Sequence, residues 1–195
     1  RAEADALQAR IRPHFLFNSM NIIASLVRSN PVIAERAVLD LSDLFRAALR
    51  GGEGGSTLGE ETELVKRYLS IESLRLGDRL IVDWQLQEPL PWMLHLPRLV
   101  LQPLVENAVL HGVSQLQEGG RVGIEMRIKD NELHICIDNP APPANSATSS
   151  IHVGTGHAQQ NIAYRLSHAF GPKARLAGNR QGEGAYRCEV ILPLP

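Results

Sequence analysis

The chain has 195 residues, of which 44% are hydrophobic and 21% are charged, and its formal net charge is −1 at pH 7. These values are ordinary for a globular protein with one large or two small domains. A nearly neutral chain excludes a general electrostatic attraction to nucleic acid or to an anionic membrane as its main mode of binding. Because the chain begins in mid-helix pattern at Arg1, we expect a piece of a longer protein, with any membrane segment upstream.

The first segment is apolar on more than one helical face. One stripe contains Leu7, Ile11, Phe15, Ile22 and Leu26, and a neighbouring stripe contains Leu16, Met20, Ile23 and Val27. So wide an apolar surface requires more than one packing partner, and a dimeric helical bundle would supply them. Pro13 lies inside the pattern, so we expect a kink just before His14.

Two further helices are predicted by their end signals. Asn30 and Pro31 are typical of a helix start, and Gly51 of the end of that helix. Thr57 and Glu60 form a capping box for a third helix, which we expect to end at Gly77.

From about residue 80 the apolar period changes to two, which indicates β-strands at 80–86, 122–128 and 133–137. Asp130-Asn131 predicts a hairpin turn between the last two of these strands. A helix is expected over about 97–110, a loop over 139–156, a final helix over about 158–170, and two more strands ending near Leu192.

His14 is the candidate nucleophile, because a neutral imidazole can attack a phosphoryl group. Asn18 lies four residues later on the same helical face, where its amide could orient a water molecule against a phosphohistidine. A histidine that simply packs at a helix interface is the competing interpretation.

Glu106, Asn107 and His111 form the second cluster of candidate residues. Asn107 and His111 are four residues apart and share a helical face, with Glu106 beside them. The Asn107 carbonyl suits Mg²⁺, His111 could donate to a phosphate, and Glu106 could act as a base or as an outer ligand through water. A polar helix end that runs into a Gly112 cap is the simpler alternative.

Two later motifs are weaker alone. Asp138 closes an alternating strand, where its carboxylate could accept a hydrogen bond from an exocyclic amine such as that of adenine, or could merely begin a turn. Gly154, Thr155 and Gly156 open the last helix, with Asn161 further inside it. Exposed amides at such a helix start can bind phosphate.

Taken in this order, the residues resemble the histidine kinases of the LytS type. The resemblance covers essentially the whole chain and is most specific in Arg-Pro-His-Phe-Leu-Phe-Asn at 12–18 and in Gln102 to Gly112, which is similar to the family's N box. The segment 57–79 and the segment 161–166, which is similar to the helix after the family's glycine box, also match.

The resemblance implies an α+β fold, with a helical dimerisation and phosphoacceptor domain at 1–77 and a Bergerat-type (GHKL) ATP-binding α/β sandwich at 78–195. It implies ATP and Mg²⁺ as cofactors, a homodimer through the N-terminal helices, and transfer from His14 to an aspartate of a LytTR-class response regulator. It also implies a cytoplasmic location, as part of a bacterial inner-membrane protein. In the resemblance His14 is phosphorylated, Asn107 binds Mg²⁺, Glu106 and His111 are catalytic or face phosphate, Asp138 reads adenine, and Gly154 and Gly156 are hinges of the lid.

The chain departs from the family pattern at four positions. Arg12 replaces the usual asparagine, Pro140 replaces a glycine after Asp138-Asn139, and Ala158-Gln159 replace Gly-Leu. Fewer glycines leave less backbone freedom around a triphosphate. A degenerate kinase that acts as a dimeric interaction module, with little or no ATP chemistry, is therefore the alternative hypothesis.

Two other classes of enzyme rank lower. Phosphoryl transfer to a partner's serine, or plain ATP hydrolysis, would leave the His14 motif without a role. A metal enzyme is disfavoured because the remaining histidines are scattered without ligand spacing, at positions 95, 134, 152, 157 and 168.

Overall fold

The structure, a computed structural model, describes residues 12–49, 55–143 and 153–195. Its helices are α1 (Pro13–Ser29), α2 (Pro31–Leu49), α3 (Leu58–Leu76), α4 (Leu101–His111) and α5 (Val153–Phe170). Its strands are β1 (Gly55–Thr57), β2 (Leu80–Leu86), β3 (His95–Pro97), β4 (Gly120–Lys129), β5 (Glu132–Pro140), β6 (Arg175–Gln181) and β7 (Ala185–Pro193). The predicted α+β class is confirmed.

The start of α1 differs from the prediction. Arg12 has an extended backbone (φ −63°, ψ 121°), and Pro13 occupies the first turn of the helix. Proline is tolerated there because the first helical amides have no partner within the helix. The described helix therefore begins at Pro13. The kink expected before His14 stays a prediction, because the part of the predicted helix before Arg12 lies outside the described residues.

The connection between α1 and α2 follows the sequence signals. The amide of Ile33 donates to the Asn30 side chain at 3.3 Å, so Asn30 caps α2 as predicted. The buried face of α2 is made of small and aliphatic residues: Ala34, Ala37, Leu41, Leu44, Ala47 and Ala48. Gly51, the predicted end of this helix, lies outside the described residues.

Helix α3 begins and ends where its signals predict. The capping box is complete, because Thr57 accepts from the Glu60 amide at 3.2 Å and the Thr57 amide donates to Glu60 at 2.9 Å. Gly77 caps the other end with a positive φ of 55°. Helix α3 packs against α1 and α2 on one side and against α4 and β2 on the other. The division of the chain at residue 77 stays a prediction.

Five strands form one mixed sheet in the order β2-β4-β5-β7-β6. Strands β2 and β4 are parallel, and the other neighbours are antiparallel. The predicted hairpin joins β4 and β5, since Asp130 and Asn131 both have positive φ values, of 53° and 61°. One face of the sheet is covered by α3, α4 and α5, and the core between them contains Val65, Leu101, Val105, Met126, Ile137, Ile162 and Leu166.

Two helix starts were misplaced by the sequence pattern. Helix α4 begins at Leu101 rather than near residue 97, because 95–97 pair antiparallel with 55–57 and Leu99 has a φ of 56°, which a helix does not allow. Helix α5 begins at Val153, five residues before the predicted start, so the Gly-Thr-Gly motif lies in its first turns.

Candidate functional site

Helix α4 forms a wall shared by two cavities. Successive residues of a helix differ in direction by about 100°, so the neighbours Glu106 and Asn107 face different sides. Glu106 lines a cavity toward the N-terminal helices, whereas Asn107 and His111 line a cavity toward the sheet. We call these the helix-side cavity and the sheet-side cavity. The predicted pairing of Asn107 with His111 on one face is therefore observed, and Glu106 lies beside it on another.

The helix-side cavity contains the candidate nucleophile. Its volume is about 370 Å³, and it is lined by Arg12, His14, Phe15, Asn18, Tyr68, Glu72, Arg75, Glu106, Leu110 and Ser114. His14 is exposed, and Asn18 is partly exposed one turn later. Phe15 packs its ring on Tyr68 with the ring centroids 5.1 Å apart, which holds α1 against α3. The structure thus brings His14, Asn18 and Glu106 together within one chain.

Arg12 connects the start of α1 to α4. Its Nη2 donates to Asn107 Oδ1 at 2.8 Å, and its Nε lies 3.6 Å from Glu106 Oε2. Gln102 donates to the other oxygen of Glu106 at 2.8 Å. One guanidinium therefore contacts both adjacent polar residues of α4. A contact across 95 positions leaves no local sequence signal, so the sequence marks Arg12 only as a departure from the family pattern.

Glu106 has the electrostatics of a proton acceptor. Burial raises its pKa above the ordinary range for a glutamate, and the hydrogen bond from Gln102 and the charge of Arg12 oppose that rise. Its side chain keeps 13% of its surface exposed toward the cavity that contains His14. A carboxyl group with a raised pKa holds a proton more readily, which suits a general base.

The sheet-side cavity combines apolar walls with side-chain amides. Its polar residues are Asn107, His111, Asn139 and Gln159, and its other walls are Leu104, Ala108, Ala141, Tyr186 and Cys188. Gln159 Nε2 donates to the Tyr186 hydroxyl at 3.3 Å, which joins α5 to β7 across this cavity. Gln159, one of the family departures, is thus part of the wall.

Glycine is required where α4 ends beside this cavity. A Cβ atom at Gly112 would lie 2.4 Å from both the Ala108 carbonyl oxygen and Asn139 Nδ2. Asn139 in turn donates to the Pro140 carbonyl at 2.8 Å. The absence of a side chain at Gly112 therefore lets the end of β5 approach α4 closely enough to form the cavity.

Asp138 is not part of the sheet-side cavity. Strand residues alternate between the two faces of a sheet, and Asn139 points to the cavity side, so Asp138 points away. On that outer face Arg187 donates to both Asp138 oxygens, at 2.7 and 2.9 Å. The role of Asp138 in reading adenine stays a prediction, with the side chain placed outside the cavity in this arrangement. Asn139, which the sequence pattern did not single out, takes the cavity position.

The remaining predicted residues lie on α5. Gly154, Thr155 and Gly156 belong to the first turns of that helix, and their contacts lie outside the description. Asn161 is exposed on α5 and lines neither of the two cavities. The role expected for Asn161 in binding a cofactor stays a prediction.

The sheet-side cavity has a volume of about 70 Å³, and its lining has the chemistry to contact a nucleotide base and a magnesium ion. Asn107 Nδ2 is buried and has no hydrogen-bond partner among the described residues, so it offers an unused donor. Apolar walls with a few amides suit a flat heteroaromatic base. The Asn107 carbonyl is an oxygen ligand of the kind that Mg²⁺ prefers, and in this structure it accepts a hydrogen bond from Arg12.

Comparison with known proteins identifies the family. Residues 2–80 match the family model for histidine kinases. The chain is 33% identical over 184 residues to the sensor protein LytS of Staphylococcus haemolyticus, an alignment that covers 90% of this chain and 31% of the relative. The chain belongs to the LytS-type histidine kinases. It is also 34% identical over 171 residues to the sensor histidine kinase BtsS of Escherichia coli, covering 88% of this chain and 30% of that protein.

A third relative is described by its name as both a kinase and a phosphatase. The sensor histidine kinase/phosphatase LytS of Staphylococcus aureus is 33% identical over 204 residues, which cover 98% of this chain and 34% of that protein. The chain thus spans about a third of the length of these relatives.

Among the described helices, none has the length and apolarity that crossing a bilayer demands. No group of three or more potential metal-binding histidine, cysteine or acidic side chains occurs in the described ranges.

Proposed function

We propose that this chain is the catalytic part of a sensor histidine kinase, which phosphorylates His14 from Mg-ATP and passes the phosphoryl group to an aspartate of a LytTR-class response regulator. The observation that carries the proposal is the shared wall: α4 presents Glu106 to the cavity that contains His14 and Asn107 to the sheet-side cavity, whose amides and apolar walls suit a nucleotide base. Family membership supports the same activity.

In this proposal Asn107 and His111 bind the nucleotide side of the reaction. Asn107 would hold Mg²⁺ through its amide oxygen, and the ion would neutralise charge on the phosphates when bound. Asn139 and Gln159 offer amide donors and acceptors to the base, against the ring of Tyr186. Gly154, Thr155 and Gly156 remain proposed phosphate-binding and hinge residues at the start of α5.

In the proposed transfer, one N–P bond forms and one P–O bond breaks. A lone pair on one imidazole nitrogen of His14 forms the N–P bond, while the bond between the γ-phosphorus and the bridging oxygen breaks and its electrons leave with ADP. The proton on the other ring nitrogen is given up, and Glu106 is the proposed acceptor because burial raises its pKa. Asn18 would orient a water molecule toward the phosphohistidine, which supplies a phosphatase activity.

We also propose a homodimer through α1 and α2, as part of a protein anchored to the bacterial inner membrane by a segment outside this sequence, with these domains in the cytoplasm. Large apolar side chains are exposed on both helices: Phe17, Met20, Val27, Val32, Val38, Leu39 and Leu49. Exposed apolar patches of this kind are typical of protein interfaces. The receiver domain of the regulator would bind near His14, which is exposed.

Three observations favour a second candidate function, a kinase with weakened ATP chemistry that controls its regulator by binding alone. Asp138 is held on the outer face by Arg187, Pro140 replaces a glycine, and Arg12 contacts the oxygen proposed for Mg²⁺. Each of these would lower nucleotide affinity without disturbing the fold.

The decisive experiment is incubation of the chain with γ-labelled ATP and Mg²⁺. Acid-labile, alkali-stable label on the parent, absent from His14→Gln and Asn107→Ala, is the expected result. His95→Gln is the matched control, because His95 is exposed on β3 and lines neither cavity. Absence of label on a folded parent would favour the interaction module, and label that persists in His14→Gln would refute the phosphoacceptor assignment.

A further inference from the structure

Three helices of the chain contribute side chains to the helix-side cavity. The start of α1 contributes Arg12 and His14, α3 contributes Tyr68 and Arg75, and α4 contributes Glu106. The phosphoacceptor of the chain therefore faces the catalytic carboxylate of the same chain. A transfer between two subunits would require this arrangement to be replaced by an equivalent one across the dimer.

Arg12 holds this arrangement at two points. Its carbonyl accepts the amides of Phe15 at 3.0 Å and Leu16 at 3.3 Å, so the residue is the first anchor of α1. Its side chain reaches α4 with the contacts to Asn107 and Glu106 described above. Since His14 follows only two residues later, the docking of Arg12 determines where the imidazole lies relative to α4.

We infer that Arg12 is a positioning residue that docks α1 onto α4 of the same chain, and that phosphoryl transfer to His14 consequently occurs within one chain. The inference rests on the proposed function and adds to it the route of transfer. A planar guanidinium contacts the amide oxygen and the carboxylate through two of its nitrogens, which the single ammonium of a lysine reproduces only in part.

Mixed dimers test the route of transfer. In the first arm, His14→Gln chains are mixed with Asn107→Ala chains; in the second, parent chains are mixed with chains that carry both substitutions. Size-tagged subunits and co-purification show that exchange has occurred. Transfer within a chain predicts no label above background in the first arm and label on the parent chain in the second. Label on the Asn107→Ala chain in the first arm would overturn the inference. The parent homodimer reports separately on the proposed function.

Arg12 variants test the positioning role. We expect Arg12→Gln to lower the labelling rate at saturating ATP by about 10- to 100-fold, because misplacing a reacting group costs this much. Binding of a non-hydrolysable ATP analogue should not weaken, since Arg12 lines the helix-side cavity and not the sheet-side cavity. Arg12→Lys should retain an intermediate rate, and Arg28→Gln, at the exposed far end of α1, should match the parent.

Hydrogen exchange tests the positioning role of Arg12 in the absence of nucleotide. In Arg12→Gln, hydrogen exchange at the amides of residues 15–18 should become faster, because the first turn of α1 loses its contact with α4. An unchanged labelling rate, or a loss of analogue binding equal to the loss of rate, would overturn the positioning role. In the second case Arg12 would support the structure of the nucleotide site itself.

Discussion

We expect the placement of α4 to depend more on Glu61 than on any other side chain of α3. It is fully buried, and its carboxylate accepts three backbone amides at the start of α4: Leu99 at 2.8 Å, Val100 at 2.8 Å and Leu101 at 3.2 Å. These amides have no partner within the helix, and a carboxylate also interacts favourably with the positive end of the helix dipole. The residue holds Leu99 in its positive-φ conformation.

Glu61→Gln should therefore destabilise the fold by about 3 kcal/mol. The amide NH₂ would face the amide of Leu99, so one hydrogen bond to a charged group is lost, at about 1.5–3 kcal/mol. The two bonds at the other oxygen change from charged to neutral acceptors, which costs about 0.5–1 kcal/mol each. Glu63→Gln is the matched control. Glu63 is exposed on the same helix and pairs with Lys66 at 2.9 Å, a surface ion pair worth at most about 1 kcal/mol.

Urea unfolding followed by circular dichroism measures this difference. For a loss of about 3 kcal/mol, the midpoint should fall by about 1–3 M, given the usual dependence of unfolding free energy on urea. Binding of the ATP analogue should weaken as well, because α4 carries Asn107 and His111. Equal midpoints for Glu61→Gln and Glu63→Gln would refute the reasoning that this carboxylate organises the start of α4.

Three further predictions concern the cavity and the thiols. Gly178→Ala should destabilise the fold by about 1–3 kcal/mol in urea unfolding, because the new Cβ would lie 1.8 Å from the Tyr186 hydroxyl and force that ring to move. Asn139→Ala should weaken binding of the ATP analogue, measured by calorimetry, more than Asp138→Asn does. A larger loss of affinity in Asp138→Asn would show that the Asp138 carboxylate reaches the base. Burial raises the pKa of Cys136 to about 11, so at pH 8 only about one thiol in a thousand is ionised. Iodoacetamide should therefore alkylate it only after unfolding, with rapid alkylation of the folded chain as the contrary result.

Signals confined to a few neighbouring residues predicted the local structure well. The capping box at Thr57 and Glu60 and the hairpin at Asp130-Asn131 need only local hydrogen bonds and backbone dihedrals, and both are confirmed. The start of α4 was misplaced because it depends on the pairing of 95–97 with 55–57 and on the Glu61 carboxylate, which is about forty positions away. Such long-range contacts leave no periodic trace in the sequence.

In the candidate site, too, local spacing could be predicted from the sequence, whereas features that depend on long-range contacts could not. Asn107 and His111 could be placed together because helical spacing alone fixes their common face. Asp138 and Asn139 could not be separated in this way, because which of the two faces the helices depends on the register of β5 between β4 and β7. A shift of one residue exchanges the two faces of a strand. The residues of a motif at the end of a strand therefore cannot be assigned to a face of the sheet until the pairing of that strand with its neighbours is known.

The adjacency of Glu106 and Asn107 has a mechanical consequence for the proposed reaction. Neighbouring residues on a helix differ by about 1.5 Å in height and about 100° in direction, so α4 presents one to each cavity while keeping them a fixed distance apart. Any movement of α4 that repositions Asn107 also repositions Glu106. Arg12 contacts both residues, and hence the start of α1 follows that movement as well. Occupation of the sheet-side cavity can thus be communicated to the phosphoacceptor by displacement of one rigid helix, without a mobile segment between the two.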